Sequence, residues 1–342
     1  KEVYHAHTAV LVPGSGTFGM EAVARQFANK EKVLIVRNGW FSYRWTQIFD
    51  ADKGLGGGSV VCKARQQGSG PQAPWAPCPA DEVAATIRAE KPKVVFAPHV
   101  ETASGIILSD DYLRTLTAAA HEVGALFVLD CVASGAMWVD MQATGVDVLI
   151  SAPQKGWSSA PACAMVCLSA RALKVMEGTT STSYSCDLKK WHQIMQAYET
   201  GAHAYHATLP TMALLELRDT MAETRARGFA QVRDQQLALG RQVRALLAAR
   251  GFPSVAAAGF EAPGVVVSYT TDPEIQSARA FIAQGLQTAA GVPLMCDEPK
   301  DFSSFRIGLF GLDKWADVDR SVAQLAAALD RMGVPAATAA TA

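Results

Sequence analysis

The sequence predicts an α/β fold: a large domain built on a mostly parallel sheet, followed by a smaller α+β C-terminal domain. Three observations carry that expectation. Short apolar runs recur between helix-like stretches, they are apolar on both faces, and the chemistry-bearing residues fall at or just beyond their carboxyl ends. Strands of this kind belong in a parallel sheet covered on both sides, where ligands bind at the strands' carboxyl ends.

Taken in order, the runs are TAVLV before Pro13, KVLIV before Arg37, KVVFAP before His99, ALFVLD to Asp130, DVLIS to Ser151 and ACAMVCL to Leu168. The Gly-, Pro- and Gln-rich stretch from Gln66 to Pro79 reads as a surface loop. From Arg218 a long Ala/Leu/Arg/Gln helix is expected through Arg250, broken by Gly251, Pro253 and Gly259. A strand over Val265–Thr270, a helix over 273–290, a short strand over Phe305–Gly308 and a terminal helix over 315–332 complete the second part. These textures place a large domain at 1–225, a small one at 226–335 and a disordered tail at 336–342. No internal repeat is visible.

Composition narrows the function classes. The chain has 342 residues, is 49% hydrophobic and 18% charged, and carries a net charge of −1, enough for a large buried core. No basic run interleaves with aromatics, so nucleic acid is not an expected partner. No apolar segment approaches the length of a membrane span, and the N-terminal residues lack a signal-peptide pattern, so a soluble cytoplasmic protein is expected. Seven scattered cysteines without a CxxC pair read as buried free thiols, and seven histidines without HExxH-like spacing argue for no metal.

Four segments carry chemistry. GSGTFG (Gly14 to Gly19) follows a strand and opens a helix, so the backbone amides of Ser15, Gly16 and Thr17 suit a phosphate. The same string fits a dinucleotide fingerprint, with Arg37 placed to meet an NADP 2′-phosphate, and it also fits a bare tight turn. Asp130 ends a buried run, where it either meets a cationic N–H such as a pyridinium or caps the next turn. Lys155, in SAPQKGW, is either a desolvated amine able to form a Schiff base or a lysine snorkelling from a loop. Arg306, in FRIGLFG, suits bidentate capture of a carboxylate or a structural ion pair.

The order of these segments resembles the class V, fold-type I, pyridoxal 5′-phosphate-dependent aminotransferases, in particular the alanine–glyoxylate and serine–pyruvate branch. The resemblance runs from about Val12 to Gly311 through GSGT, NGWFSYRW (Asn38 to Trp45), VETASG (Val100 to Gly105), the Gln154–Lys155 pair, YHATLPT and the RIG string. It implies a phosphate loop at Ser15, Gly16 and Thr17, Phe41 stacked on the cofactor ring, Val132 on the ring's other face, and Thr102 near the ring hydroxyl. It implies Asp130 as the pyridinium partner, Lys155 as the Schiff-base lysine beside Gln154, and Arg306 as the anchor of the substrate α-carboxylate. Tyr205 and Thr208 would reach the cofactor phosphate of a neighbouring subunit, which implies a homodimer.

The expected activity is transfer of an amino group from an alanine- or serine-like amino acid to a small 2-keto acid, glyoxylate or pyruvate. The rivals are a pyridoxal-phosphate lyase or racemase, an aminoethylphosphonate-type transaminase, and an NADP-binding protein using GSGTFG and Arg37. The segment after the lysine, GWSSAPA, departs from the family's usual string, and so does YHATLPT; both departures bear on substrate choice.

Overall fold

A computed structural model describes residues 1–52 and 54–334, so the tail expected at 336–342 lies outside the described residues. A seven-stranded sheet is built from β1 (Thr8–Pro13), β2 (Val33–Arg37), β3 (Ser59–Lys63), β4 (Val94–Pro98), β5 (Leu126–Asp130), β6 (Val148–Ser151) and β7 (Cys163–Leu168). The spatial order is β1, β7, β6, β5, β4, β2, β3. Adjacent strands from β6 to β3 are parallel, whereas β7 runs antiparallel to both β6 and β1. Two reversals cancel, so β1 points the same way as β6.

The Val- and Leu-rich runs form strands because both of their faces find apolar partners. Within β5, Phe127 and Leu129 join one buried cluster, and Leu126 and Val128 join another on the opposite face. The helices α1 (Gly16–Phe27) and α2 (Trp40–Ala51) follow β1 and β2 directly. Trp45 of α2 is fully buried against Phe96 of β4, with ring centroids 4.3 Å apart.

Beyond these, α3 (Thr211–Arg227) and α4 (Phe229–Ala249) lead to a three-stranded antiparallel sheet. It consists of β8 (Val265–Tyr269), β9 (Ala289–Ala290) and β10 (Ser304–Gly308), with β10 in the centre. Gln236, fully buried in α4, donates from Nε2 to the carbonyls of Pro263 at 3.1 Å and Leu309 at 3.2 Å, tying the helix to this sheet.

Four expectations need correction. The helix expected through Arg250 is two helices, because Gly228 at φ 94° interrupts it. The helix expected over 273–290 is two single turns, Pro273–Gln276 and Arg279–Ile282, separated by Ala278 in the left-handed region at φ 66° and followed by β9. The terminal helix is preceded by a separate short one, Leu312–Ala316, before α5 (Val318–Arg331). The expected loop from Gln66 contains a small ribbon in which Gln66 pairs with Trp75.

The seating of α1 on the sheet depends on a missing side chain. A Cβ on Gly19 would lie 2.4 Å from the Ala164 Cβ of β7 and 3.1 Å from Ile150 of β6. Gly19→Ala gains about 1 kcal/mol of helix propensity. Displacing a packed helix costs about 1–3 kcal/mol. Net destabilisation in urea unfolding is therefore expected, with weakened ligand binding at the loop that opens α1.

Candidate active site

The turn between β1 and α1 requires glycine. Gly14 sits at φ 120°, and a Cβ on Gly16 would lie 2.5 Å from Val132 Cγ2. The backbone therefore comes close to Val132 while Ser15 takes the N-cap position of α1, its side chain making no capping bond. Free N–H groups at a 12-residue helix's N-terminus suit an anion.

The start of α2 is held by a buried carboxylate. Glu101, fully buried, accepts from the backbone N–H of Ser42 at 2.8 Å, Ala103 at 3.0 Å and Phe41 at 3.2 Å, and from the Ser42 hydroxyl at 2.7 Å. Burial raises its pKa, and these hydrogen bonds oppose the rise. The contact is possible because residue 39 is glycine: a Cβ there would lie 2.7 Å from Glu101 Cγ. Glu101 thus fixes the turn that presents Phe41 and, one turn later, Arg44.

Asp130 leaves the end of β5 only partly covered, with the backbone N–H of Val132 donating to its Oδ1 at 2.9 Å. Desolvation raises its pKa from 3.8 to about 6; the Val132 bond and Arg44 oppose this, and the Glu101 charge adds to it. A carboxylate so poorly compensated has acceptor capacity to spare for a cationic donor.

Lys155 lies in the β6–β7 connection, where a Cβ on Gly156 would meet the Gly135 carbonyl at 2.3 Å. Its backbone is thereby pressed against the turn that follows β5. The ammonium lies 5.4 Å from the centre of the Phe310 ring. Burial lowers its pKa, and the neighbouring Arg306 lowers it further. Arg306, on β10, donates from Nε to the Ala290 carbonyl at 2.7 Å, and its guanidinium carbon lies 5.5 Å from the Phe41 ring centre. Among the described residues no partner engages its terminal nitrogens, which leaves them for a carboxylate.

Ser15, Gly16, Thr17, Phe41, Thr102, Asp130, Val132, Gln154 and Lys155 line one cleft of about 200 Å³. Arg306 stands against its Phe41 wall. Two other expected residues are elsewhere: Tyr205 and Thr208 are exposed, on a segment pinned by the ring of His206 to the Tyr184 carbonyl at 2.9 Å. Arg37, the residue on which an NADP site would depend, is buried apart from the cleft and donates to Thr46 and to the Met295 carbonyl. The GSGTFG turn is therefore without the 2′-phosphate partner that the rival reading needs. Arg44, which lines the cleft, was not singled out in the sequence; it sits inside an aromatic helical string, and only the i, i+3 spacing from Phe41 places the two on one face.

The cleft suits pyridoxal phosphate on structural grounds. It offers an anion-binding turn, a desolvated amine, an under-compensated carboxylate, and the Gln154 Oε1, which is buried without a partner among the described residues. Among the described residues no cluster of three metal-ligating side chains occurs. No described helix is long and apolar enough to cross a membrane.

Fold and site together define a pyridoxal-phosphate enzyme of fold type I. The profile of the class V aminotransferases matches residues 9–281, and the chain belongs to that family; it is a pyridoxal-phosphate-dependent aminotransferase. It is 27% identical over 331 residues to a protein of Synechococcus sp. (strain PCC 6716) named as the small subunit of a soluble hydrogenase, covering 95% of this chain and 80% of the relative. It is also 27% identical over 331 residues to a 2-aminoethylphosphonate–pyruvate transaminase of Burkholderia ambifaria (strain MC40-6), covering 96% and 83%. The crystal structure of an alanine–glyoxylate aminotransferase from Nostoc sp. superposes with a TM-score of 0.79 at 19% identity, over 96% of this chain and 83% of that one, and shares the fold.

The raised pKa of Asp130 has a measurable consequence. A carboxyl whose folded pKa exceeds its unfolded value destabilises the protein when ionised, so the cost is absent below about pH 4 and fully present above about pH 6. In cofactor-stripped protein, Asp130→Asn is expected to raise the urea midpoint over wild type at about pH 8 and to match it near about pH 4. Identical midpoints at the higher pH would refute this assignment.

Proposed function

We propose that the chain, as a cytoplasmic homodimer, transfers the amino group of an alanine- or serine-like amino acid to a small 2-keto acid, glyoxylate or pyruvate. The observation that carries this reading is the convergence of Lys155, Asp130 and Arg306 on one cleft wall system shared with the anion-binding turn. Pyridoxal phosphate supplies an electrophilic carbon and a conjugated ring that accepts the electrons left when the substrate α-carbon loses its proton.

The chain's own residues do the rest. Arg306 grips the α-carboxylate through its terminal nitrogens and so aims the α-hydrogen. Lys155 would hold the cofactor through its Nζ, and as a free amine that Nζ would be the base for the substrate's α-proton. Its lowered pKa brings more of the amine into the neutral, proton-accepting form near neutrality. The Asp130 carboxylate would keep the ring nitrogen protonated, which its own desolvation makes favourable, and Phe41 and Val132 would confine the ring. Ser15, Gly16 and Thr17 would receive the phosphate, and Thr102 and Gln154 would meet the ring's substituents. Tyr205 is 73% exposed, and Tyr184, whose ring lies 4.7 Å from that of the adjacent His206, is exposed as well; this supports a surface completed by a second copy that contributes Tyr205 and Thr208 to the partner's cleft.

A second reading is favoured by one relative's activity: the name of the Burkholderia protein specifies 2-aminoethylphosphonate as donor, and a guanidinium such as Arg306 also suits a phosphonate. Product analysis with alanine, serine and 2-aminoethylphosphonate, each with and without glyoxylate or pyruvate, separates these readings. Amino transfer from alanine or serine that requires the keto acid is expected. Product formed without any keto acid points to lyase or racemase chemistry and overturns the proposal. Lys155→Ala is expected to abolish borohydride labelling and turnover, and Asp130→Ala to lower the rate by several orders of magnitude with weakened cofactor binding.

A further inference from the structure

A phosphate monoester brings nearly two negative charges to its site. The turn that would receive it supplies only neutral donors, together with a helix N-terminus worth roughly half a charge. Among the described residues lining the cleft, the cations are Arg44 and Lys155. Lys155 is committed to the aldehyde end and lies over Phe310. Arg44 is the one attached to the turn: its Nη1 donates to Thr17 Oγ1 at 3.0 Å.

Three further features set Arg44 apart. It is half-buried, yet no carboxylate pairs with it among the described residues. Its guanidinium carbon lies over the Phe41 ring, 5.3 Å from its centre, while one of its five N–H donors is used on Thr17. Glu101 fixes the start of the helix that carries it, through the bonds to Phe41 and Ser42. Asp130 feels the charge of Arg44 across the cleft without forming a salt bridge to it, and a guanidinium so placed beside an anion-binding turn is a preformed half of an ion pair.

We propose that Arg44 is a phosphate-binding residue, the cation that completes the anion site of Ser15, Gly16 and Thr17 and distinguishes pyridoxal phosphate from pyridoxal. The inference rests on the reading of that turn as the phosphate site. Arg44 then performs two tasks with one group, bracing Thr17 and neutralising the phosphate. The charge is supplied by the same chain that supplies the turn, whatever a second subunit adds.

The test is equilibrium binding of pyridoxal phosphate and of pyridoxal to apoprotein, followed by tryptophan fluorescence, for wild type, Arg44→Met, Arg44→Gln and Ser15→Ala. Both Arg44 variants are expected to lose about ten- to a hundredfold in affinity for the phosphorylated ligand, the scale of one charged hydrogen bond, with pyridoxal unchanged. Arg44→Gln retains a donor for Thr17 and keeps the comparison informative when the methionine variant folds poorly, which circular dichroism of each apoprotein reports. An equal loss for both ligands marks Arg44 as a structural brace and overturns the proposal, as does no loss for either. Phosphate-selective loss in Ser15→Ala without one in the Arg44 variants sinks this inference alone. Equal affinity of wild type for the two ligands removes the reading of the turn and the role of Arg44 together.

Discussion

Strand direction is the constraint on which the site depends. Because β7 runs against both of its neighbours, β1 points the same way as β5 and β6, and three turns open on a single edge of the sheet. One brings the amides of Ser15 to Thr17, one brings Asp130 and Val132, and one brings Gln154 and Lys155. Were β1 reversed, the anion-binding turn would lie at the far edge from the lysine. Glycine makes the convergence tight: Gly16 lets α1 approach Val132, Gly39 makes room for Glu101, and Gly156 lets the lysine loop press on the Gly135 carbonyl.

The electrostatics follow from that closeness. Burial lowers the pKa of Lys155 and raises that of Asp130, so both groups are biased toward their neutral forms. On the proposed roles, a ligand that brings a proton-bearing ring nitrogen and an anionic tail would answer the Asp130 carboxylate and the Arg44 guanidinium at once. Binding free energy is then drawn from charges that the folded protein holds in an unfavourable setting. Behind the strand ends, His99 is buried with its ring nitrogen 2.7 Å from the Ser134 hydroxyl, and burial depresses its pKa to about 4. It is a neutral prop in the physiological range.

Much of this was legible in the sequence for a physical reason. An apolar run buried on both faces ends where polar residues begin, so Gly14 and Asp130 mark strand ends in the sequence and Lys155 lies just beyond one. Less legible were features that depend on a single backbone angle. Ala278 in the left-handed region splits a stretch whose composition favours a helix, and Gly228 breaks a run of strong helix formers. Arg44 escaped notice because its meaning lies in the rotation of α2, which brings its guanidinium to Thr17, 27 positions earlier in the chain. Glu101 stands in the sequence only as one letter of VETASG, whereas its grip on the amides of α2 is a fact of packing. The exposure of Tyr205 was equally hidden, since an aromatic in a loop gives no sign of whether it is covered.

Phe41 ends up as common ground between the two halves of the cleft. The guanidiniums of Arg44 and Arg306 both rest on its ring, one on the side of the anion-binding turn and the other on the strand of the small sheet. Resizing this one aromatic would shift both cations together. On the roles proposed for the two arginines, cofactor affinity and substrate choice would, through this position, change together.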